Sequence, residues 1–223
     1  PHPGEVSLAH RGVLYLDEFS EFPRNVLEAL RQPIEDGDVT ISRSRGNQTF
    51  PAKFMLVASS NPCPCGFLNH PQKNCRCTPR QILNYRKKLS GPILDRFDMD
   101  IFINPVETEA LNINKNNNSE RETLDVRNRV SSARKVQNIR FKNIDIQTNA
   151  EMKNSHIKKY CVLDPDTENL LKDFIGRFHL SARSYFRMIK LSRTIADLGG
   201  CIKIKRDHMA QALMYKAKVD ENL

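Results

Sequence analysis

Residues 12–21 of the chain read GVLYLDEFSE. Four consecutive apolar residues, 13–16, lead directly into the carboxylates of Asp17 and Glu18. Such a short apolar run is typical of a strand buried on both faces, as in a parallel sheet, and open α/β sheets bind ligands where their strands end. An aspartate there can bind Mg²⁺ beside nucleotide phosphates, and the next glutamate can orient or deprotonate a water. The alternative is an ordinary buried strand followed by a helix with an acidic first turn.

The sequence that follows predicts a helix, a β-hairpin and two further strands. Apolar residues at helical spacing predict a helix that Pro33 and Gly37 end. Residues 39–50 predict a β-hairpin, because a polar, glycine-containing loop separates two short β-prone runs. Residues 54–58, FMLVA, predict a second buried strand that ends in the polar segment SSN, and residues 100–103 predict a third.

Composition and charge limit the class of protein. Hydrophobic residues make up 39% of the 223 residues and charged residues 27%, as in a globular protein. No apolar run approaches the ~20 residues that cross a bilayer, and the opening segment PHPGEVSLAH is polar, so we expect no membrane association and a cytoplasmic location. The formal net charge of +9 favours a polyanionic partner such as nucleic acid, although a basic domain without such a partner has the same charge.

An asparagine-rich segment, NINKNNNS at residues 112–119, is the predicted linker, because it is too polar to bury itself in a core. It separates a predicted α/β core, residues 1–111, from a mostly helical domain, residues 120–223. The helices predicted there span 120–138, 165–178, 181–198 and 207–218. Because the first strand lies so near the start of the chain, we expect an upstream part of the protein to be missing.

Five segments together carry a family resemblance: GEVSLAHRGVLYLDEFSEF (4–22), LRQPIEDGDVTISR (30–43), FPAKFMLVASSNPCPCG (50–66), SGPILDRFD (90–98) and LSARSYFRMIKLSRTIADL (180–198). They resemble the AAA+ ATPases of the magnesium-chelatase-related group, most closely the ComM/YifB-type competence proteins. The resemblance implies an α/β fold: a partial AAA+ P-loop core with a parallel sheet, followed by a small all-α lid domain. It also implies that ATP and Mg²⁺ are bound and that subunits assemble into a ring, as a hexamer.

Roles at the nucleotide follow from the resemblance. Asp17 and Glu18 match the Walker B pair, so Asp17 would serve Mg²⁺ and Glu18 would polarise the attacking water. Asn61 matches sensor 1, whose carboxamide can contact the γ-phosphate or hold that water. A turn cap before Pro62 is the alternative for Asn61.

Two arginines match family positions that contact phosphate. Arg96 matches the arginine finger, which reaches the γ-phosphate of a neighbouring subunit and stabilises charge in the transition state. A local salt bridge to Asp95, Asp98 or Asp100 is its alternative. Arg183 matches sensor 2 of the lid, and its alternative is a solvated residue in the first turn of a helix.

The hairpin at 39–50 matches the pre-sensor-1 hairpin of the same group, which contacts DNA in related helicases. Arg43 and Arg45 lie near its tip and suit phosphate contacts, although a solvated basic turn has the same composition.

The sequence departs from the family in one respect. The phosphate-binding loop G-x-x-x-x-G-K-[ST] should lie upstream of Gly4, and none of the nine glycines has that spacing. Without its backbone N–H groups and lysine, the β- and γ-phosphates lack a cradle. We therefore expect this chain alone neither to bind ATP tightly nor to hydrolyse it.

Four of the six cysteines, Cys63, Cys65, Cys75 and Cys77, fall into two CxC pairs. Four thiolates suit a structural Zn²⁺ site, although two to four residues usually separate paired ligands. His70 could replace one cysteine, and reduced thiols without metal are the alternative. Cys161 and Cys201 are isolated, and we expect them to act as small apolar side chains.

Three functions remain open from the sequence. The first is an ATP-hydrolysing motor acting on DNA, in branch migration or DNA integration during competence. The second is a chelatase-type ATPase that remodels a protein or helps to insert a metal. The third is a non-catalytic, zinc-stabilised DNA-binding module.

Overall fold

The computed structural model describes residues 2–44, 46–89, 91–104 and 119–217. The chain forms two compact units, Pro1–Phe97 and Asp98–Leu223. The elements of the first unit are α1 (Glu5–Leu8), β1 (Val13–Leu16), a 3₁₀ turn (Phe19–Glu21), α2 (Arg24–Ala29), α3 (Arg31–Asp36), β2 (Asp38–Arg43), β3 (Gly46–Pro51), β4 (Met55–Ala58), α4 (Pro79–Lys88) and α5 (Gly91–Leu94).

The two predicted buried strands lie side by side. β1 pairs with β4 in parallel, with Val13 opposite Met55 and Leu16 opposite Ala58. β2 and β3 form the predicted hairpin as a separate antiparallel sheet, with Asp38 opposite Pro51. Both strand predictions and the hairpin are therefore confirmed.

The prediction that the parallel sheet is buried on both faces is wrong for the described residues. Leu14, Leu16 and Ala58 pack against a core that contains Phe19 and Leu27. The other face is exposed at Val13 (58%), Tyr15 (58%), Met55 (57%) and Val57 (41%). Side chains alternate between the faces of a strand, and the described elements of the first unit cover one face of this sheet.

The helix predicted between β1 and the hairpin is two helices, α2 and α3, which meet at Leu30. Pro33 does not end it but lies in the first turn of α3, where a proline sacrifices no intrahelical hydrogen bond. Gly37 ends α3 with φ +77°, a conformation that favours glycine.

The third predicted strand, residues 100–103, is not a strand. The backbone N–H of Asp100 donates to the carbonyl of Tyr215 (2.9 Å), so this end of the segment bonds a helix rather than a strand. Ile101 and Ile103 are 65% and 81% exposed. The apolar run therefore lacks the pairing that its composition predicted.

The second unit is all helical, as predicted. Its elements are α6 (Ser119–Arg140), a 3₁₀ turn (Asn149–Glu151), α7 (Asn154–Tyr160), α8 (Pro165–Arg177), α9 (Ala182–Leu198) and α10 (Arg206–Ala217). Most of the predicted linker 112–119 lies outside the described residues. Within the described residues, no helix has both the length and the apolar character needed to cross a membrane.

Helix α9 runs through the core of this unit, where Met188 and Ala196 are fully buried. Both α8 and α9 begin at polar caps, because Asp164 accepts from the N–H of Thr167 (2.8 Å) and Ser181 from that of Ser184 (3.3 Å).

A buried ionic network crosses the end of α9. The Asp197 side chain is fully buried and accepts hydrogen bonds from Arg140 at both oxygens (2.6 and 2.7 Å), from Arg193 Nε (3.1 Å) and from Asn149 (2.8 Å). Burial opposes ionisation of Asp197, but the bonds from Arg140 and Asn149 outweigh it and lower the pKa of the carboxyl. The network therefore holds α6, the 3₁₀ turn and α9 together through charge-assisted bonds.

Candidate functional site

The carboxyl ends of β1 and β4 are tied together beyond the last strand residues. The N–H of Ser59 donates to the carbonyl of Leu16 (3.0 Å), and the N–H of Phe19 donates to the carbonyl of Ser59 (2.8 Å). Asp17 and Glu18 lie between these two bonds. The sheet therefore places Asp17 and Ser59 at neighbouring strand ends.

Asp17 accepts three hydrogen bonds on Oδ1. The donors are the hydroxyl of Ser59, the backbone N–H of Glu18 (3.0 Å) and the hydroxyl of Tyr15 (3.3 Å). Chiefly because of the Ser59 bond, the pKa of the exposed Asp17 carboxyl is lowered from its ordinary value. Among the described residues no group donates to Oδ2, so an ionised, oriented carboxylate is available to a cation.

Glu18 occupies the left-handed region of backbone conformation, with φ 49° and ψ 46°. Its N–H donates to Asp17 Oδ1 and also lies 3.3 Å from the Ser59 hydroxyl. A non-glycine residue in this region costs of order 1–3 kcal/mol, and such strained residues cluster at active sites and ligand clamps. The turn directs the chain from β1 into the 3₁₀ turn and leaves the Glu18 side chain exposed.

Asn61 follows β4 by three residues and is exposed. A chain of hydroxyls supports the backbone before it: Ser60 Oγ lies 2.7 Å from the buried Ser20 Oγ, which donates to Tyr85 on α4 (2.5 Å). Ser60 also donates to the Asn61 carbonyl (3.3 Å). Asp17, Glu18 and Asn61 are thus at the same edge of the parallel sheet.

The sequence interpretation overlooked the serines that organise this edge. Ser59 orients Asp17, while Ser20 and Ser60 hold the turn after Glu18 beside the segment before Asn61. Ser59 could have been found from its position, because the residue after the second strand must neighbour Asp17 once the two strands pair in parallel. The hydrogen bond from Ser20 to Tyr85 joins residues 65 positions apart, and no feature of the sequence around either residue predicts it.

Arg96 has a partner that the sequence did not suggest. Its side chain is 8% exposed and forms an ion pair with Glu35 on α3 (2.6 Å), and its NH1 donates to the Pro92 carbonyl. Asp98, one of the aspartates considered as its partner, instead pairs with Arg187 (2.6 Å). The finger role of Arg96 stays a prediction.

Three other arginines, Arg183, Arg43 and Arg45, were predicted from the sequence to contact phosphate. Arg183 is the second residue of α9, in the helical unit, and its side chain is exposed. The backbone of Arg43 pairs with Gly46 at the tip of the hairpin, and Arg45 lies outside the described residues. The roles of these three arginines stay predictions.

The four clustered cysteines converge between β4 and α4. The Sγ atoms of Cys63, Cys65, Cys75 and Cys77 all lie within 4.8 Å of one another. Backbone N–H groups of Phe67 and Arg76 lower the pKa of the Cys65 thiol to about 6, whereas burial raises that of Cys77 to about 12. His70 does not belong to this group of mutually close ligand atoms, and its Nδ1 accepts from the N–H groups of Gln72 and Lys73 (3.1 Å each). The cluster could hold a metal ion.

Comparison with known proteins identifies relatives over nearly the whole chain. It is 42% identical over 218 residues to the uncharacterized protein YifB of Salmonella typhimurium, and 42% identical over 220 residues to the competence protein ComM of Haemophilus influenzae. These matches cover 97% and 98% of this chain but only 41% and 42% of those proteins. A magnesium-chelatase subunit ChlI of Anabaena variabilis is 28% identical over 111 residues, which is 50% of this chain and 26% of that protein.

Two family models account for most of the sequence. The family described as magnesium chelatase, subunit ChlI, matches residues 1–111, and that described as magnesium chelatase, subunit ChlI C-terminal, matches residues 120–216. The resemblance inferred from the sequence is thereby confirmed. The α/β unit and the helical unit that follows it agree with a partial AAA+ core and its lid. The chain therefore belongs to the magnesium-chelatase-related family of AAA+ proteins.

Proposed function

We propose that this chain is part of an ATP-hydrolysing AAA+ motor that acts on DNA. The observation that carries the proposal is the parallel pairing of β1 with β4, which brings Asp17 and Glu18 to the sheet edge that also bears Asn61. In open α/β sheets, ligands bind at this edge. ATP and DNA are both present in the cytoplasm, where such a motor would work.

Each residue at the edge has a separate task in this proposal. The Asp17 carboxylate would hold Mg²⁺, and its low pKa keeps it charged at neutral pH. The Glu18 carboxylate would orient the attacking water and accept its proton, while the Asn61 carboxamide would hold that water or the terminal phosphate. The bound Mg²⁺ would neutralise charge on the triphosphate. The residues present fit the cation side of this site, whereas the sequence contains no phosphate-binding loop.

The site would be completed by residues outside this edge. Arg96 would act as an arginine finger on the nucleotide of a neighbouring subunit in a ring. Its guanidinium would stabilise the negative charge that develops on the γ-phosphate in the transition state. Arg183 would contact phosphate from the lid. Because the chain spans about 41% of the relatives' length and lacks G-x-x-x-x-G-K-[ST], we expect hydrolysis only in the longer protein.

DNA is the proposed substrate because the net charge is +9 and the backbone of Arg43 pairs with Gly46 at the hairpin tip, near which the sequence also predicts Arg45. The competence protein among the relatives also suggests a role in handling incoming DNA, by branch migration or integration. A ring, as a hexamer, would let hydrolysis move the hairpins along the strand. DNA affinity should then fall steeply with salt concentration.

A chelatase-type motor is the second candidate, favoured by the names of both matching family models. It shares the nucleotide chemistry but takes a protein as its substrate. Weak, salt-insensitive DNA binding by the full-length protein would favour this candidate over the DNA motor.

The test is Glu18→Gln in the full-length protein, with Glu21→Gln as the matched control. Glu21 is also exposed and forms only a surface pair with Lys88 (3.2 Å). Removing a general base costs about 10²–10⁴-fold in rate, so Glu18→Gln should lose at least ~100-fold in ATP turnover while ATP still binds. Glu21→Gln should keep normal turnover. If the two variants have equal turnover, the chain is a non-catalytic DNA-binding module or Glu18 is not the base, and the proposal fails.

A further inference from the structure

The four-cysteine cluster has a geometry that packing alone does not explain. Adjacent Sγ atoms are 3.5 Å apart between Cys63 and Cys65, 3.6 Å between Cys65 and Cys75 and 3.7 Å between Cys63 and Cys75. Four sulfurs bound at ~2.3 Å to one tetrahedral zinc ion are separated by roughly 3.8 Å. A disulfide would require about 2.05 Å. The thiols are therefore already spaced for a shared ion.

The surroundings of the cluster favour a negatively charged metal centre. Four thiolates around Zn²⁺ leave a net charge of about −2. The segment 62–79 contains two cations, Lys73 and Arg76, and no acidic residue. The N–H groups of Phe67 and Arg76 also point at the sulfur of Cys65, which is the type of outer bond that orients thiolate ligands.

The loop that carries the cysteines has no regular secondary structure of its own. Residues 59–78, all described by the structure, contain no helix or strand. Loops of this length without secondary structure are uncommon in compact domains. Cys63 lies near the exit from β4, and Cys77 directly precedes Thr78, the N-cap of α4. One ion bound by both would join the two ends of the loop.

The same cross-link would act on Asn61. Cys63 is fully buried and lies two residues after Asn61. Gly66 lies against the Asn61 side chain, since a Cβ at Gly66 would be 3.9 Å from Asn61 Oδ1. Fixing Cys63 and Cys65 therefore fixes the backbone on which the carboxamide rests.

We propose that Cys63, Cys65, Cys75 and Cys77 bind one structural Zn²⁺ ion, and that this ion positions Asn61 at the edge of the parallel sheet. The ion takes no part in reaction chemistry, because all four coordination positions are filled by protein sulfur. The zinc site is independent of the proposed function, and only its effect on hydrolysis rests on that function.

The first experiment measures metal content of the chain purified under reducing conditions with zinc in the growth medium. We expect about one zinc per chain, and tetrahedral thiolate-to-cobalt absorption after exchange with Co²⁺. The zinc content of the Cys75→Ser variant should fall below ~0.5 equivalents per chain, because one of the four ligands is lost. Cys201→Ser, outside the cluster, should keep about one equivalent.

Two results would overturn the zinc site. One is less than ~0.5 equivalents of zinc in the unmutated chain together with no tetrahedral cobalt spectrum. The other is equal zinc loss in Cys75→Ser and Cys201→Ser. Because the cobalt spectrum is recorded on the unmutated chain, the test remains decisive even if Cys75→Ser does not fold.

The second experiment tests the effect on Asn61 by NMR of the ¹⁵N-labelled chain before and after zinc removal with a chelator. The side-chain amide signals of Asn61 should shift or broaden, whereas those of Asn169, on α8 in the helical unit, should not. Unchanged Asn61 signals alongside changed backbone signals from Cys65 would refute the positioning role while leaving the zinc site intact. Neither experiment uses nucleotide, so neither depends on the proposed motor.

Discussion

Replacing Asp197 with asparagine should strongly destabilise the helical unit. Asp197 is fully buried and is the anion between Arg140, whose side chain is 12% exposed, and Arg193, which is 2% exposed. Asparagine keeps the shape but removes the negative charge and one hydrogen-bond acceptor. Removing one partner of a buried ion pair typically costs 3–5 kcal/mol, so we expect a loss of about 3–5 kcal/mol in unfolding free energy.

The assay is denaturant unfolding of the 223-residue chain, followed by helical circular dichroism, to which α6–α10 contribute most. Asp166→Asn is the matched control, because Asp166 is 78% exposed and its partner Arg206 is 59% exposed (3.2 Å). An exposed pair of this kind contributes ~0–1 kcal/mol, so the control should lose no more than that.

The pH dependence gives a second, independent check on Asp197. Its pKa in the folded protein is lowered from the ordinary 3.8, so its stabilising effect is complete above that value. The effect is lost as pH falls through the lower folded-state pKa, where the carboxyl is protonated. The stability difference between the parent chain and Asp197→Asn should therefore be constant near neutrality and shrink in acid. A loss below ~1 kcal/mol at neutral pH, or the same difference in strong acid, would refute the reasoning.

Two further predictions concern the first unit. Ser59→Ala should raise the pKa of Asp17 towards 3.8 in an NMR titration, because the Ser59 hydrogen bond gives the largest contribution to the lowered pKa. Tyr15→Phe should raise the pKa of Asp17 less. An equal or larger effect of Tyr15→Phe would contradict this prediction. Gly37→Ala should lower the unfolding free energy by about 1–2 kcal/mol, because the residue has φ +77° and the new Cβ would lie 2.8 Å from Lys53 Cγ. Gly176→Ala, with open space around the new Cβ, should be neutral or stabilising, and equal losses at both glycines would count against the explanation.

The sequence predicted those parts of the fold that depend on local pattern. Two apolar runs, each followed by polar residues, predicted strands that proved to be parallel neighbours. Helices α8 and α9 were predicted almost to the residue, and in the structure both begin at side-chain N-caps, Asp164 and Ser181. The run at 100–103 has the same composition as a strand, but pairing also requires a partner, and composition does not say whether one is present.

The interactions missed from the sequence are those between residues far apart in the chain. Glu35 and Arg96 are 61 positions apart, and Arg140 and Asp197 are 57 apart. From the local sequence alone, each of these four charged residues would be predicted to be exposed to solvent. Tertiary packing brings these residues together. The family motif could therefore suggest a role for Arg96 but could not show that Arg96 pairs with Glu35 in the structure.

The ion pair with Glu35 limits how Arg96 could act as an arginine finger on the nucleotide of a neighbouring subunit. A guanidinium that is 8% exposed and 2.6 Å from the carboxylate of Glu35 is held by charge-assisted hydrogen bonds, each contributing roughly 1.5–3 kcal/mol. To act as the finger, Arg96 would have to break its bond to Glu35, and the charge of the triphosphate would have to offset this loss. In that role, the exchange would be favourable only when a nucleotide and a neighbouring subunit are both present. An arginine that is paired within its own subunit would thus act as a finger only after the subunits assemble around a nucleotide. An arginine already exposed to solvent would not depend on assembly in this way.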